Sequence, residues 1–169
     1  MELTVERGDR QKEAGGRVPI ILVLDNLRSA FNVGNIFRIA ETAGIKEIIT
    51  CGYTAHPPHP KLKKTARGCD ELVKHRHFEK TIDAIFILKD EGNHITAVET
   101  CKNASLVWNA DLVLPQAFIL GNEALGISEE ALSLCDSHVK IPVFGYKNSL
   151  NVANCTAVIV YDVIRRFFS

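Results

Sequence analysis

Three short polar segments of this chain carry the side chains that are best suited to chemistry. They are residues 32–38 (Asn-Val-Gly-Asn-Ile-Phe-Arg), 121–126 (Gly-Asn-Glu-Ala-Leu-Gly) and 145–151 (Gly-Tyr-Lys-Asn-Ser-Leu-Asn). They contain amides, a carboxylate, a hydroxyl and a guanidinium, groups that orient a polar substrate and stabilise charge that develops on it. Each segment lies where an apolar run meets a turn or a helix, which is where α/β proteins bind their ligands.

Each segment, taken alone, also has a structural explanation. Asn32 could cap a helix without any further role. Arg38 carries a fork of donors that suits phosphate, but an ion pair with Glu41 or Glu47 would explain it as well. The glycines of residues 121–126 let backbone amides approach a ligand closely, and a plain turn would use them too.

Sequence patterns of other common sites are missing from the chain. No G-x-G-x-x-G follows the first apolar run, and residues 127–128 are Ile-Ser where an ATP-binding loop requires Lys-Ser or Lys-Thr. The histidines of residues 56–59 and 75–77, with Cys69 between them, have the ligand types of a zinc site. The prolines within residues 57–60 and the lack of a second nearby cysteine argue against one, so the sequence predicts no metal.

Length and composition predict one soluble domain. The chain has 169 residues, 46% of them hydrophobic and 24% charged, which is typical of a globular protein with one core. We expect residues 1–17 to form an N-terminal extension and residues 18–169 a single domain. No apolar stretch reaches the roughly 20 residues that span a bilayer, and residues 1–17 lack the apolar run of a secretion signal. A cytoplasmic location without a membrane partner is therefore predicted, and the five cysteines are expected to stay free thiols.

The charge of the chain is neutral overall but basic in one region. The formal net charge is +0. Residues 61–80 nevertheless contain seven lysines and arginines against three acidic residues, a local charge of +4. A localised basic patch is what a phosphate backbone requires, although a solvated helix face would look the same. The candidates for contacts to nucleic acid are Lys61, Lys63, Lys64 and Arg67.

Apolar runs and turn residues predict alternating strands and helices. Strands are predicted at residues 18–24, 46–51, 94–98, 117–120 and 138–141. Helices are predicted from about residue 30 to Gly44, at 84–89, after the N-cap residue Ser128, and at 151–168. Residues 53–60, with three prolines, are predicted to form an exposed loop. This alternation predicts an α/β fold with a mostly parallel sheet and helices on both faces.

The last predicted helix has an apolar stripe that is wider than one core-facing side requires. One row of apolar residues runs from Val152 to Phe167, and a second row beside it ends at Phe168. Burial within one chain and contact with a second subunit explain this stripe equally well. Ser149 or Asn151 is expected to cap the start of this helix.

In combination, the three polar segments resemble the motifs of the SpoU/TrmH family of S-adenosylmethionine-dependent RNA 2′-O-ribose methyltransferases, which belong to the SPOUT class. The family pattern Asn-x-Gly-x-x-x-Arg is matched by Asn32, Gly34 and Arg38. The pattern Gly-x-Glu-x-x-Gly-Ile is matched by Gly121, Glu123, Gly126 and Ile127. The pattern Ile-Pro-x-x-Gly, followed by Ser-Leu-Asn-Val, is matched by Ile141, Pro142, Gly145 and residues 149–152. The similarity spans about residues 18–166.

The resemblance implies a fold, a cofactor and a set of site residues. It implies a SPOUT fold with a C-terminal deep trefoil knot, a homodimer, and an RNA site built across both subunits. The catalytic residues that it implies are Arg38, Asn32, Glu123, Ser149 and Asn151. S-adenosylmethionine is expected to lie against Val98, Leu120, Gly121, Ile141 and Leu150. In this interpretation Arg38 either takes up the departing proton or, as the permanent charge of a guanidinium favours, orients the ribose hydroxyl and stabilises its developing charge, while Asn32 holds the ribose.

The predicted function is therefore methylation of a ribose 2′-hydroxyl in RNA, in tRNA rather than rRNA. Two alternatives remain open at this stage. One is a catalytically silent dimer of the same fold that only binds RNA. The other is a methyltransferase for a small molecule, against which the basic residues between Lys61 and Arg76 argue.

Overall fold

Seven parallel strands form one sheet at the centre of the protein, for which the computed structural model describes residues 17–168. The strands are β1 (Val18–Asp25), β2 (Ile45–Cys51), β3 (His75–Phe78), β4 (His94–Val98), β5 (Ser105–Leu106), β6 (Gln116–Leu120) and β7 (Ser137–Lys140). Their order across the sheet is β3-β2-β1-β6-β4-β7-β5, and every pair is parallel. The prediction of an α/β fold with a parallel sheet is confirmed.

Helices cover both faces of this sheet. They are α1 (Ala30–Thr42), α2 (Pro60–Ala66), α3 (Cys69–Leu72), α4 (Thr81–Asp90), α5 (Glu129–Ser133) and α6 (Val152–Phe168). Alternate side chains of a strand point to opposite faces, so β1 contributes to two separate cores. Leu22 packs in the core that contains α1, α2 and α6, whereas Val23 packs in the core that contains α4 and α5.

The parallel pairing brings four chain segments to one edge of the sheet. In the registers of β1, β4 and β6, Leu120 is opposite Leu24 on one side and Val98 on the other. The segments that follow these strands therefore leave the sheet side by side, together with the segment after β7. This is the edge at which parallel α/β sheets bind ligands.

Most predicted elements are present, and the differences lie in short segments. Strand β4 has the predicted bounds, and residues 52–59 form the predicted loop, although Pro60 already starts α2 with His59 as its cap. The sequence patterns did not predict α2, α3, β3, β5 or a short 3-10 helix at Val107–Asn109. The predicted extension, residues 1–17, lies outside the described residues except for Arg17. Within residues 17–168, no helix is long and apolar enough to cross a membrane.

Candidate active site at the carboxyl edge of the sheet

Side chains from all three polar segments meet at this edge in one hydrogen-bonded row. The amide nitrogen of Asn32 donates to Glu123 Oε1 at 2.9 Å. The amide nitrogen of Asn151 donates to Asn32 Oδ1 at 3.2 Å. Asn32 is thus the central member, and it joins residues that are 91 and 119 positions away in the chain.

The carboxylate of Glu123 also accepts two backbone hydrogen bonds from the two residues that precede α1. Arg28 N donates to Oε2 at 2.8 Å and Ser29 N donates to Oε1 at 3.2 Å. Partial burial alone would raise the pKa of this carboxyl. The hydrogen bonds from Arg28 and Asn32, with smaller ones from Glu123's own backbone and Ser29, outweigh burial and lower the pKa below its ordinary value. Glu123 is therefore an ionised acceptor at neutral pH rather than a proton donor.

The N-terminal caps of α1 and α6 determine which side-chain amides are free to form the hydrogen bonds between Asn32, Glu123 and Asn151. Ser29, rather than Asn32, caps α1, and its hydroxyl accepts from the Asn32 backbone N–H at 3.2 Å. The Asn32 side chain is consequently not used as a cap. Of the two candidates for the cap of α6, Asn151 takes that position, because its Oδ1 accepts from Ala153 N at 3.0 Å. Its other amide atom remains available for Asn32.

The loop after β6 is folded tightly on itself around Asn122. The Oδ1 atom of Asn122 accepts from the backbone of Ala124 and Leu125, and its Nδ2 donates to Tyr53 Oη at 2.7 Å. A Cβ atom on Gly121 would lie 2.4 Å from the carbonyl carbon of Gly126, so only glycine fits there. Of the two explanations for Gly121, a ligand or a plain turn, the close approach of the loop already requires glycine without a ligand. Asn122, which is buried and polar, was missed.

A cleft of about 780 Å³ opens beside the hydrogen-bonded row. All five residues that were predicted to bind the cofactor line it, namely Val98, Leu120, Gly121, Ile141 and Leu150. Its wall also includes Glu123, Ser149 and Asn151. The volume is that of a small-molecule site, and the wall combines apolar side chains with a comparable share of polar groups. These residues fit a cofactor with an apolar ring face and polar substituents.

Two further carboxylates hold the loops around this cleft, and neither was found by sequence analysis. Glu99 Oε2 accepts from Ile127 N at 3.0 Å, which ties the end of β4 to the loop after β6. Asp25 is buried, accepts from the Thr81 hydroxyl, and accepts from Ser128 N at 3.2 Å. Acidic residues directly after strands were the available signal, but their partners are distant in sequence.

Arg38 is not joined to this row in its own chain. It lies exposed on α1, six residues after Asn32, which at 100° per residue turns it to another side of the helix. Within residues 17–168, its side chain has no hydrogen bond or ion pair. The alternative of a pair with Glu47 is not realised, because Glu47 is buried and bound by Arg76 at 2.7 Å. The guanidinium of Arg38 is thus open to a ligand or a partner.

The predicted basic residues lie on or just after α2, which packs directly on α1. Lys61, Lys63, Lys64 and Arg67 are all exposed. Lys63 forms an ion pair with Glu71 at 3.1 Å. A Cβ on Gly34 would lie 2.7 Å from the Leu62 carbonyl oxygen, so Gly34 allows α2 to approach α1 closely.

Fewer cations are available on this surface than the net charge of +4 for residues 61–80 indicated. Arg76 belongs to that count, but its guanidinium binds both Glu47 and Glu91. Lys74 also lies near Glu47, at 3.8 Å. Arg76 balances acidic groups of the fold, so it is not free for phosphate, whereas Lys74 is only weakly engaged by Glu47.

A family model and a curated relative of this chain both indicate the SpoU/TrmH methyltransferases. The family model described as the SpoU rRNA methylase family matches residues 19–161. A Staphylococcus aureus protein assigned to the TrmH family of tRNA/rRNA methyltransferases is 30% identical over 160 residues, which are 93% of this chain and 62% of the relative. The chain thus spans less than two thirds of the length of the curated relatives that it matches.

Two solved structures share the fold over most of the chain. One is the AdoMet-bound rRNA methyltransferase of Sinorhizobium meliloti, with 25% identity and a TM-score of 0.82 over 89% of this chain and 57% of that one. The other is described as an RNA 2′-O ribose methyltransferase, with 25% identity and a TM-score of 0.79 over 94% of this chain and 61% of that one.

Proposed function

We propose that this chain, which belongs to the SpoU rRNA methylase family, methylates a ribose 2′-hydroxyl in RNA with S-adenosylmethionine as the donor. The observation that carries the proposal is the row formed by Asn32, Glu123 and Asn151 at the mouth of the 780 Å³ cleft. The family uses this cofactor, and the relative from Sinorhizobium meliloti is AdoMet-bound. We further propose that the RNA is tRNA rather than rRNA.

The chemistry that the chain must supply is alignment and charge stabilisation. When bound, S-adenosylmethionine provides an electrophilic methyl group on its sulfonium sulfur. A ribose hydroxyl is a poor nucleophile, so the enzyme must hold it in line and handle its departing proton. Asn32, fixed between Glu123 and Asn151, retains one N–H and one oxygen lone pair with which it can orient the hydroxyl.

Arg38 is proposed to stabilise the negative charge that develops on the ribose oxygen. Its guanidinium stays charged at neutral pH, so we assign it an electrostatic role rather than that of a base. Its position on another side of α1 from Asn32 favours an active site to which two subunits contribute. Ser149 is proposed to shape the same site from the exposed loop before α6.

A homodimer is part of the proposal. Helix α6 uses Val152, Ile159 and Val163 in the core of its own chain, which leaves part of its wide apolar stripe uncovered. Tyr161 and Phe168 on the same helix are about half exposed. A second subunit that covers these rings would remove apolar surface from water.

The proposal includes the SPOUT topology and the domain limits. We infer that residues 18–169 form a single methyltransferase domain whose C-terminal segment is threaded as a deep trefoil knot, with residues 1–17 as an extension. The two segments that such a knot involves, residues 121–127 and 141–151, both line the 780 Å³ cleft. We propose a cytoplasmic location, where tRNA is found.

The decisive experiment combines cofactor binding with methyl transfer. Calorimetry with S-adenosylmethionine should give one site per chain, and a labelled methyl group should pass to total RNA. The label should reside on ribose, so it should protect the neighbouring phosphodiester bond from alkaline hydrolysis. Cofactor binding without transfer to RNA would favour the silent RNA-binding dimer, and turnover without RNA would favour the small-molecule enzyme. Mapping ribose methylation in cells that lack the protein would identify the nucleotide.

A further inference from the structure

A second cleft of about 490 Å³ is lined by the end of the loop after β1 and by the segment between β2 and α2. Its wall contains two exposed aromatic rings, Phe31 at 47% and Tyr53 at 62%. Exposed aromatic faces are costly in water and are the surfaces on which unpaired bases stack. The volume is within the range of clefts that hold small molecules and is large enough for one nucleotide.

The charge of this second cleft favours an anionic ligand. Arg28 and Lys61 line it, and both are exposed. The wall also contains His56 and His59. Among the described residues that line the cleft, none is acidic. Cations beside aromatic rings, without carboxylates, match a phosphate attached to a planar base.

The second cleft is connected directly to the hydrogen-bonded row at the candidate active site. Arg28 and Ser29, which line it, donate their backbone N–H groups to Glu123. The Tyr53 hydroxyl accepts a hydrogen bond from Asn122, which organises the loop after β6. A ligand in the second cleft would therefore lie next to the ribose that Asn32 is proposed to hold.

We propose that the second cleft binds one unstacked nucleotide of a single-stranded RNA segment, next to the ribose that is methylated. Its base lies against the two rings of Tyr53 and Phe31, and its phosphate lies at Arg28 and Lys61. The inference rests on the proposed function, because it takes RNA as the substrate. It adds a substrate requirement: a base inside a regular duplex cannot reach these rings, so the RNA must present a loop, a bulge or an end.

The test uses a short single-stranded RNA that contains 2-aminopurine, whose fluorescence is quenched when it stacks on an aromatic ring. The full chain is expected to quench the fluorescence of the single strand below that of the free RNA, and to bind the same strand annealed to its complement more weakly. Tyr53→Ala and Phe31→Ala should each weaken binding of the single strand by about tenfold and reduce the quenching. Tyr53→Phe keeps the ring and loses only the hydroxyl that Asn122 contacts, so it should retain the quenching of the single strand.

A matched control separates this site from general effects of an exposed ring. Phe86 on α4 is 52% exposed and lies outside the second cleft, so Phe86→Ala should leave binding and quenching unchanged. Unchanged quenching and affinity in both Tyr53→Ala and Phe31→Ala would overturn the proposal. The proposal would also be overturned if these two alanine variants lost the dimer in sedimentation but kept the quenching, because the rings would then form a subunit contact.

Parallel measurement of methyl transfer to total RNA distinguishes this inference from the proposed function. Transfer without quenching in the unchanged protein would refute the nucleotide cleft and leave the methyltransferase intact. Quenching that depends on Tyr53, without any transfer, would support the cleft and refute the enzymatic activity.

Discussion

The side-chain amide nitrogen of Asn32 donates to Glu123, and two neighbours, Asn151 and Glu123, determine this orientation of the amide. Asn151 uses its amide oxygen to accept from Ala153 N, so only its nitrogen is left for Asn32. Glu123, as a carboxylate, can only accept. The donors therefore run in one direction, from the start of α6 through Asn32 to Glu123. Such a row presents a fixed pattern of donor and acceptor to a substrate hydroxyl.

Replacing the hydrogen-bond donor at the centre of this row with an acceptor should strongly reduce methyl transfer. Asn32→Asp replaces the donor to Glu123 with a second carboxylate, and two adjacent negative charges raise the pKa of both groups. We expect methyl transfer to fall about 100-fold, because misplacement of aligned groups has effects of that size. NMR titration should show that the pKa of Glu123 rises from its lowered value. Asn35→Asp, which is exposed on the same helix, is the matched control and should change neither quantity.

Arg38→Ala should remove activity without removing stability or cofactor binding. The side chain is exposed and has no ion pair within residues 17–168, so the free energy of unfolding should change little. Loss of a charge-stabilising group typically costs about 100-fold or more in rate. Arg38→Lys keeps the charge but not the planar fork, so it should retain only part of the activity. Activity of Arg38→Ala within a few-fold of the unchanged protein would contradict the assignment.

The sheet could be predicted because its central strands are buried on both faces. Strands β1 and β6 are continuous apolar runs for that reason, and their bounds differ from the prediction by one residue. By contrast, β3 and β5 have four and two residues, and α3 has four. Elements this short span too few residues for a hydrophobic period to be recognised, so their sequence carries no distinct pattern.

The residue types of the site could be predicted, but the hydrogen bonds between its loops could not. Asn32, Glu123 and Asn151 stood out as polar residues at the ends of apolar runs. The roles of Asn122 and Glu99 depend on contacts between loops that follow different strands, which only the three-dimensional arrangement supplies. Arg76 was counted as part of a basic surface because its acidic partners are 29 and 15 positions away.

The 780 Å³ cleft can be tested through Leu150, which lines it and is 44% exposed. Leu150→Glu places a charge against the proposed cofactor without disturbing the core, so we expect at least about tenfold weaker binding of S-adenosylmethionine and an unchanged melting temperature. This variant is a better probe than Gly121→Val, which would disrupt the loop itself. Leu72→Glu, exposed on α3 outside the cleft, is the control. Equal cofactor affinity in both variants would move the binding site elsewhere.

Arg76 should matter for stability and not for RNA. Its partner Glu47 is 1% exposed, so Arg76→Met would leave a buried carboxylate without its main counter-charge. Removal of one partner of a buried pair costs about 3 kcal/mol in the free energy of unfolding, which denaturant titration would measure. Lys74→Met should cost much less, because Lys74 is mostly exposed and 3.8 Å away. A loss below about 1 kcal/mol for Arg76→Met would show that Glu47 is adequately solvated or paired without it.

The salt dependence of RNA binding should identify which cations of the α2 surface bind phosphate. Lys64 and Arg67 are exposed, whereas Lys63 is engaged by Glu71 at 3.1 Å. Replacing Lys64 and Arg67 with glutamine should raise the KM for RNA and lower the slope of log affinity against log salt by roughly 0.7–0.9 for each phosphate that is no longer neutralised. Glu71→Gln should have the opposite effect, because it releases Lys63 for a phosphate. The KM for S-adenosylmethionine should stay constant in both variants, since neither segment lines the 780 Å³ cleft. An unaltered salt slope in the double variant would make this stretch a solvated helix face, and the RNA surface would then have to lie along the proposed dimer.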